Sequence, residues 1–380
     1  MDEETAVCAA VLAAVTAALT PFDGRSNRGP IENNFVVPNN TWLLVKSTTS
    51  LNAWFTRHLR CPRPTFNRIV DSIRTAWPTV HPALHHLNRF GIDDRVACTL
   101  HYLTHSDGYE STAELFGISK TRAYEYCNQV FAVVQLCFVL DTISMPTTHA
   151  QWEDIRTGFE AYGFPNAYGA IDGSLISIKR FEDFTGWYCR KGFPAFNMQA
   201  VVDHRMKFMS YSLRSGSQND KALFNHSVFG KTCHQRVPGR GCFLGDAGYK
   251  LYSHLMTPYT IYSDMPQDEA HYNTIHSRSR MVVERAFGLW KNKFRVFKTE
   301  LLQHRPSDMA RLIEVSLVFH NWFIEFNEEL DNFEPEFFPE WMHIGGDTVF
   351  DEELNQVDGA PAPSTWFSLI KLYLIQHVSI

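Results

Sequence analysis

Along the first half of the chain the apolar residues keep helical time. Phe66, Ile69, Val70 and Ile73 recur at intervals of three and four, and a second periodic stretch runs over residues 130–138, so residues 51–160 predict as a mainly α-helical unit. After Gly158 the period shortens. Residues 166–178 alternate and are rich in β-formers, residues 197–203 and 207–213 read as two strands joined by a polar turn at His204, Arg205 and Met206, and 241–244 is another short apolar run. Helical patterns return at 221–229, from about 278 to 290, and from 307 to about 328. Strands interleaved with helices predict an α/β layer on a mixed sheet across residues 161–330. Residues 1–50 read as a tail and linker: an apolar stretch over 6–19 that would form a short amphipathic helix, then an Asn, Gly, Pro and Arg-rich arm over 24–40. Residues 331–380 are acidic and interrupted by glycine and proline, as in a loosely packed tail, with 366–375 able to form a final docked helix.

Inside the helical unit, residues 109–127 carry turn chemistry. A helix ending at Phe116, Gly117 in the left-handed region and Ser119 as the cap of a second helix leave Thr121, Arg122, Tyr124 and Glu125 among the exposed positions. That is the pattern of a helix-turn-helix whose second helix enters a DNA groove; a plain helical hairpin has the same signature.

Composition narrows the classes. With 380 residues, 44% of them hydrophobic, the chain has material for packed cores. The leader Asp2, Glu3 and Glu4 has the wrong charge for a signal peptide, and no apolar run reaches the roughly 20 residues of a membrane helix. The eight cysteines are scattered, with no C-x-x-C pair and no histidine spaced as a zinc partner, and read as reduced, buried thiols of an intracellular protein. His81, His85 and His86 read as an ordinary loop or helix start. Neither a phosphate-binding G-x-x-x-x-G-K-[ST] loop nor a G-x-S-x-G nucleophile elbow is present. The net charge is −6, which argues against a polyanion-binding protein only as an average. Between Arg278 and Lys298 seven cations, including Arg280, Lys291, Lys293 and Arg295, face a single acid, Glu284. This is a local basic patch of the kind nucleic acid attracts.

Three acids carry the candidate chemistry. Asp172 interrupts an apolar strand, and burying an unpaired carboxylate costs several kcal/mol, so it needs a partner, a cation or a cleft. Asp246 ends a second apolar strand between Gly245 and Gly248, at the sheet edge where α/β ligand sites lie. Glu284 lies on a helix in the row Arg280, Glu284, Gly288, Lys291, beside a packing face of Val283, Phe287, Trp290 and Phe294. Each acid alone reads equally as a salt-bridged carboxylate. Together they form an oxygen donor set for Mg²⁺ or Mn²⁺, two of which would activate a water or a 3′-hydroxyl against a phosphodiester.

Several motifs occur in order: Ala170-Ile171-Asp172-Gly173-Ser174; Arg190-Lys191-Gly192-Phe193 leading into residues 197–203; Gly216-Ser217-Gln218-Asn219-Asp220; Gly245-Asp246-Ala247-Gly248-Tyr249; Thr257-Pro258-Tyr259; and Arg280-x3-Glu284-x6-Lys291. On these motifs the chain resembles the PIF/Harbinger transposases and Harbinger-derived nucleases over roughly residues 51–326. The resemblance implies an RNase-H-like DDE catalytic domain behind a helical domain with a helix-turn-helix. It makes Asp172, Asp246 and Glu284 the catalytic metal ligands, Asp220 an accessory acid, and Arg190 and Lys191 phosphate contacts, for which a solvated turn is the equal alternative. With Arg122 on the second helix and the basic row on the Glu284 helix, these form the expected DNA-binding set. The implied partners are double-stranded DNA, a separate Myb-like DNA-binding protein and a second copy of the chain or a larger assembly; the implied location is the nucleus, with the cytoplasm a second compartment. Asn219 stands where the family often has His, and Ser277 where insertion-sequence relatives often have Tyr; neither change removes an expected ligand. A domesticated DNA-binding or scaffold protein that no longer cleaves is the alternative reading of the same motifs.

Overall fold

In a computed structural model of the protein, described over residues 39–86, 88–181 and 185–326, the alternating segment forms strand β1 (Ala167–Ser177) at the centre of a five-stranded sheet. β1 pairs antiparallel with β2 (Ala195–Val202), and β2 with β3 (Phe208–Ser215). On its other side β1 runs parallel to β4 (Cys242–Leu244), and β4 to β5 (Leu255–Met256), giving the order β3-β2-β1-β4-β5. The mixed α/β layer is therefore as expected. Every residue of β2 is buried, which requires cover on both faces of the sheet. β5 was not legible, because two residues carry no period. Hydrogen bonds from Phe243 N to His254 O and from Gly245 N to Met256 O, each 2.9 Å, place it.

Packing in the helical half begins before Leu51, the expected start. Helix α1 (Thr41–Ser47) buries Trp42 and Val45, and α2 (Asn52–Leu59), α3 (Arg63–Val80) and α4 (Ile92–Thr104) follow. Asp94, on the nearly wholly buried α4, accepts from Trp42 Nε1 at 2.7 Å and Lys46 Nζ at 2.9 Å, so the early helix answers a buried charge. Next come α5 (Gly108–Phe116) and α6 (Lys120–Cys137), joined as the sequence predicts. Gly117 sits at φ 61°, Ser119 Oγ accepts from Arg122 N at 3.3 Å, and Thr121, Arg122, Tyr124 and Glu125 are exposed. The short α7 (Val139–Thr142) and α8 (His149–Ala161) complete this half.

The single helix expected over 221–229 is two, α9 (Asp220–His226) and α10 (Val228–Arg236). Ser227 between them is extended, and its Oγ accepts from Gly230 N at 2.9 Å, ending one helix and capping the next. Helix α11 (Gln267–Lys293) starts well before the expected position near 278, because its first turns are polar and show no apolar stripe. Asp268 and Glu269 in the first turn and Lys291 and Lys293 in the last complement its dipole. Helix α12 (Pro306–Glu325) closes the described chain. The Asn321 amide clamps β3, accepting from Phe208 N and donating to Phe208 O, both at 2.8 Å. One buried apolar cluster runs from Trp42 to Phe323 through both halves.

Six of the seven described cysteines are buried. Among the described residues no helix is long and apolar enough to cross a membrane. The expected helix over 6–19, nearly all of the arm over 24–40, the acidic tail and the docked helix over 366–375 lie outside the described residues.

Two buried histidines tie the long helices to the sheet. His276 Nε2 meets Met256 O at 3.1 Å and His320 Nε2 meets Met206 O at 2.9 Å. A carbonyl only accepts, so each Nε2 carries the proton. Burial pushes both rings from 6.5 down to about 4. The unfolded chain therefore binds more protons between these values, and the stability present above pH 6.5 is lost as pH falls toward 4. At about pH 5 the loss should be on the order of 2 kcal/mol per histidine, read as a falling denaturation midpoint that flattens in a His276→Gln, His320→Gln variant. A second prediction concerns the turn at Gly117, where a Cβ would lie 2.7 Å from Asn39 O. With its positive φ as well, Gly117→Ala should destabilise the protein by more than about 1 kcal/mol in chemical unfolding.

Candidate metal and phosphodiester site

The parallel pairing of β1 with β4 sets Ala170 opposite Leu244. Two residues further along both chains are Asp172 and Asp246, so the register brings the two acids to adjacent strands on one side of the sheet. Asp172 Oδ1 accepts from its neighbour Gly173 N at 2.7 Å, and Asp246 Oδ1 from Gly248 N at 3.0 Å. These local bonds hold the carboxylates without using all of their oxygen lone pairs.

Helix α11 supplies the third acid and a cation together. Arg280 donates from Nη1 to Asp172 Oδ2 at 2.8 Å and from Nη2 to Glu284 Oε1 at 2.6 Å, the latter along the i,i+4 row expected from the sequence. Val283 and Trp290, fully buried, anchor the neighbouring face. One guanidinium fork thus bridges the strand acid and the helix acid. Lys291 reaches back to β1 and donates to Leu175 O at 2.9 Å.

Asp220 joins the same site. It opens α9, where Asn219 caps the helix by accepting from Ala222 N at 2.8 Å. Asn197 and Gln199, alternate residues of β2, donate to Asp220 Oδ1 at 3.2 Å and to Asp220 O at 3.1 Å. A Cβ at residue 173 would lie 2.4 Å from Asp220 Oδ1, so Gly173 is needed to let the acid approach β1. Gln199 also donates to Tyr249 Oη at 2.8 Å. Asn197, Gln199 and Tyr249 had no assigned role in the sequence reading. For Asn197 and Gln199 the signal was polar residues inside an otherwise apolar strand.

The electrostatics show an excess of negative charge. Burial pushes Asp172 up to about 7, Asp246 and Glu284 add to the rise, and Arg280 opposes it. Burial also raises Asp246, with Asp220 adding and Arg280 and Arg190 opposing. The Tyr249 hydroxyl is raised by burial and then by Asp220, Asp172 and Asp246. Asp172 feels Asp246 and Glu284, and Asp246 feels Asp220, so the four acids lie near one another. The donors are carboxylate oxygens, the type Mg²⁺ and Mn²⁺ take, and their charge exceeds what one arginine balances. The residues fit such ions. Among the described residues, however, the one set of three metal-type side chains whose donor atoms all lie within 4.8 Å of one another is His58, His101 and His105. The acids stand further apart, with Arg280 bridging two of them.

The basic residues separate into different roles. Arg190 and Lys191 are exposed on the turn before β2, and Arg190 is close enough to act on Asp246. Arg122 is exposed on α6 and pairs with Glu125 at 2.9 Å. Arg295 is half-buried. Lys293 departs from the expected DNA-facing row: it is 5% exposed, with its ammonium 4.1 Å from the centre of the Phe323 ring. The reason is helical phase, since two residues past Lys291 is slightly more than a half-turn and falls on the packed side. Lys291 is buried enough that its ammonium falls to about 8, with Lys191 adding to the fall.

Residues 171–321, which contain all four acids, match the family described as DDE superfamily endonuclease. A protein named ALP1-like from Arabidopsis thaliana is 24% identical over 64% of this chain and 63% of its own length. "Putative nuclease HARBI1" is 28% identical over 48% of this chain and 53% of its own in Rattus norvegicus, and 24% over 71% and 77% in Xenopus laevis. The chain spans less than two thirds of the length of the first two. No solved structure matches it.

Removing the bridge tests the charge balance. Arg280→Met leaves Asp172 and Glu284 without their shared partner, and we expect a loss of roughly 1–3 kcal/mol in unfolding free energy at neutral pH. Part of that loss should be recovered with millimolar Mg²⁺. An unchanged midpoint with and without Mg²⁺ would mean that the acids are not electrostatically coupled through Arg280.

Proposed function

We propose that the chain is a divalent-metal-dependent DNA endonuclease of transposase descent, because residues 171–321 match the DDE superfamily endonuclease family and the chain is similar to ALP1-like and putative nuclease HARBI1 proteins. The observation that carries this reading is that Asp172, whose proton affinity both Asp246 and Glu284 raise, meets them from two adjacent parallel strands and one helix. The strand order β3-β2-β1-β4-β5, with the first three strands antiparallel and the last two parallel to β1, supports an RNase-H-like domain.

In this reading Asp172, Asp246 and Glu284 hold two Mg²⁺ or Mn²⁺ ions, which when bound polarise a water or 3′-hydroxyl and neutralise the leaving oxygen of the phosphodiester. The chain's own residues prepare the place. Arg280 balances Asp172 and Glu284 before loading and is free to turn toward a DNA phosphate once the acids have a different countercharge. Asp220, fixed by Asn197 and Gln199, is an accessory acid that adds negative potential beside Asp246. Lys291 holds β1 in register beside Glu284. Arg190 and Lys191, exposed at the rim, and Arg295 take backbone phosphates; Arg122 and its exposed neighbours on α6 form the reading face of a helix-turn-helix. Cleavage leaves a 3′-hydroxyl that the same site can direct at target DNA. Double-stranded DNA is the substrate, a Myb-like protein and a second copy of the chain are the partners, and the nucleus is the place of action.

A supercoiled-plasmid assay tests the assignment. Wild type with Mg²⁺ or Mn²⁺ should nick, and Asp172→Ala, Asp246→Ala and Glu284→Ala should each reduce the rate by at least about 100-fold, while chelation abolishes it. Nicking that survives these substitutions would overturn the ligand assignment. Tight duplex binding by a folded wild type that nicks with neither ion would favour a binding or scaffold role.

A further inference from the structure

Outside the carboxylate site, three imidazoles from separate parts of the helical half meet. His58 is near the end of α2, His101 is in the last turn of α4, and His105 is its C-cap. One ring nitrogen from each lies within 4.8 Å of one from each of the others. The sequence reading found no histidine spaced as a zinc partner. His101 and His105, four apart on one helix face, are such a pair, and α2 brings the third.

The hydrogen bonds fix which nitrogens are available. His105 Nδ1 lies 3.0 Å from His101 O, and a carbonyl only accepts, so Nδ1 carries the proton and Nε2 keeps its lone pair. His101 Nδ1 lies 3.0 Å from Thr112 Oγ1, whose own proton goes to Gly108 O at 3.1 Å; the hydroxyl therefore accepts, and His101 Nε2 likewise keeps its lone pair. Neither Nε2 has a hydrogen-bond partner among the described residues, and the His58 ring has none on either nitrogen. The His58 ring is instead stacked on Trp54 at 4.7 Å. An imidazole whose Nδ1–H is held by a carbonyl or hydroxyl while Nε2 stays open is the usual arrangement around a bound metal.

We propose that His58, His101 and His105 form a structural site for a borderline divalent transition ion of the Zn²⁺ type, with water as the fourth ligand. The ligands are three neutral nitrogens, which suit Zn²⁺, Co²⁺ or Ni²⁺ and not the hard ions of a carboxylate site. Burial, and for His101 and His58 their imidazole neighbours, keeps protons off all three rings. Arg57, Arg60 and Arg295 act against positive charge here and Asp107 acts for it. Tetrahedral ligation draws nitrogens to about 3.3 Å from one another, so His101 and His105, stacked with ring centroids 4.1 Å apart, would have to turn out of their parallel stack to point at one ion. The ion would pin α2 to the end of α4 and, through Thr112, to α5, stiffening the base of the α5–α6 pair. The site is independent of the nuclease reading.

The test uses the full chain stripped by chelation and reloaded with Zn²⁺, with bound metal measured by elemental analysis and stability by thermal unfolding. One Zn²⁺ per chain and a raised unfolding temperature are expected in wild type and equally in Asp172→Asn, Glu284→Gln. Both should be lost in His58→Ala and in His105→Ala. Thr112→Val, which removes the acceptor that holds His101, should weaken Zn²⁺ by about 10- to 100-fold. The zinc X-ray absorption spectrum of the wild type needs no variant and should show an imidazole-nitrogen shell. An oxygen-only shell, no Zn²⁺ in the wild type, equal Zn²⁺ in the histidine variants, or loss of Zn²⁺ in the acid variant alone would each overturn the proposal.

Discussion

A carboxylate in the middle of a sheet must be answered by positive charge, and in this protein the answer comes from a helix. Asp172 lies on β1, the strand that pairs on both sides, where burial raises its proton affinity. Arg280 reaches it from α11 and holds Glu284 with the same fork. That contact sets the helix's rotation: with Arg280 and Glu284 toward the sheet edge, Val282, Val283, Ala286 and Trp290 turn into the core. A 27-residue helix is thus keyed to the sheet by charge on one row and by apolar packing on the next.

The rest of the site follows from the geometry of strands. Parallel pairing of β1 with β4 carries Asp172 and Asp246 to neighbouring positions, and Gly173 leaves the space that Asp220 fills. Asn197 and Gln199, on one face of fully buried β2, use their amides to hold the first residue of α9. These polar groups are satisfied by one another, which is how a buried polar network avoids its desolvation penalty. The result is a rigid group of acids carrying more negative charge than its one bridging arginine balances. Such a surplus is unfavourable in the empty protein and would be relieved by bound cations, so the proposed metal loading would stabilise the fold as well.

The helical half has its own logic. Its core depends on α4, which is buried along nearly its whole length and so must satisfy polar residues internally. Asp94 does this through Trp42 and Lys46, and His101 through Thr112. The α5–α6 pair stands on this base, its second helix leaving four polar or aromatic residues at 121, 122, 124 and 125 in solvent.

The sequence alone was enough for whatever depends on local period and local chemistry. The change from helical to alternating spacing near residue 160, the Gly117 and Ser119 turn, the two faces of the Glu284 helix and the acids themselves were legible because each is encoded within a few residues. The ordered motifs carry the family resemblance within the sequence itself. Tertiary structure decided what depends on residues far apart: that β5 exists, that α1 packs, that Ser227 breaks a helix, that Lys293 turns inward onto Phe323, and that Arg280 spans two acids. The histidine set shows the limit most clearly, since His101 and His105 are four residues apart but His58 reaches them only through the packing of α2 on α4. Long-range charge balance and packing have no period in the chain, and only the folded arrangement assigns them.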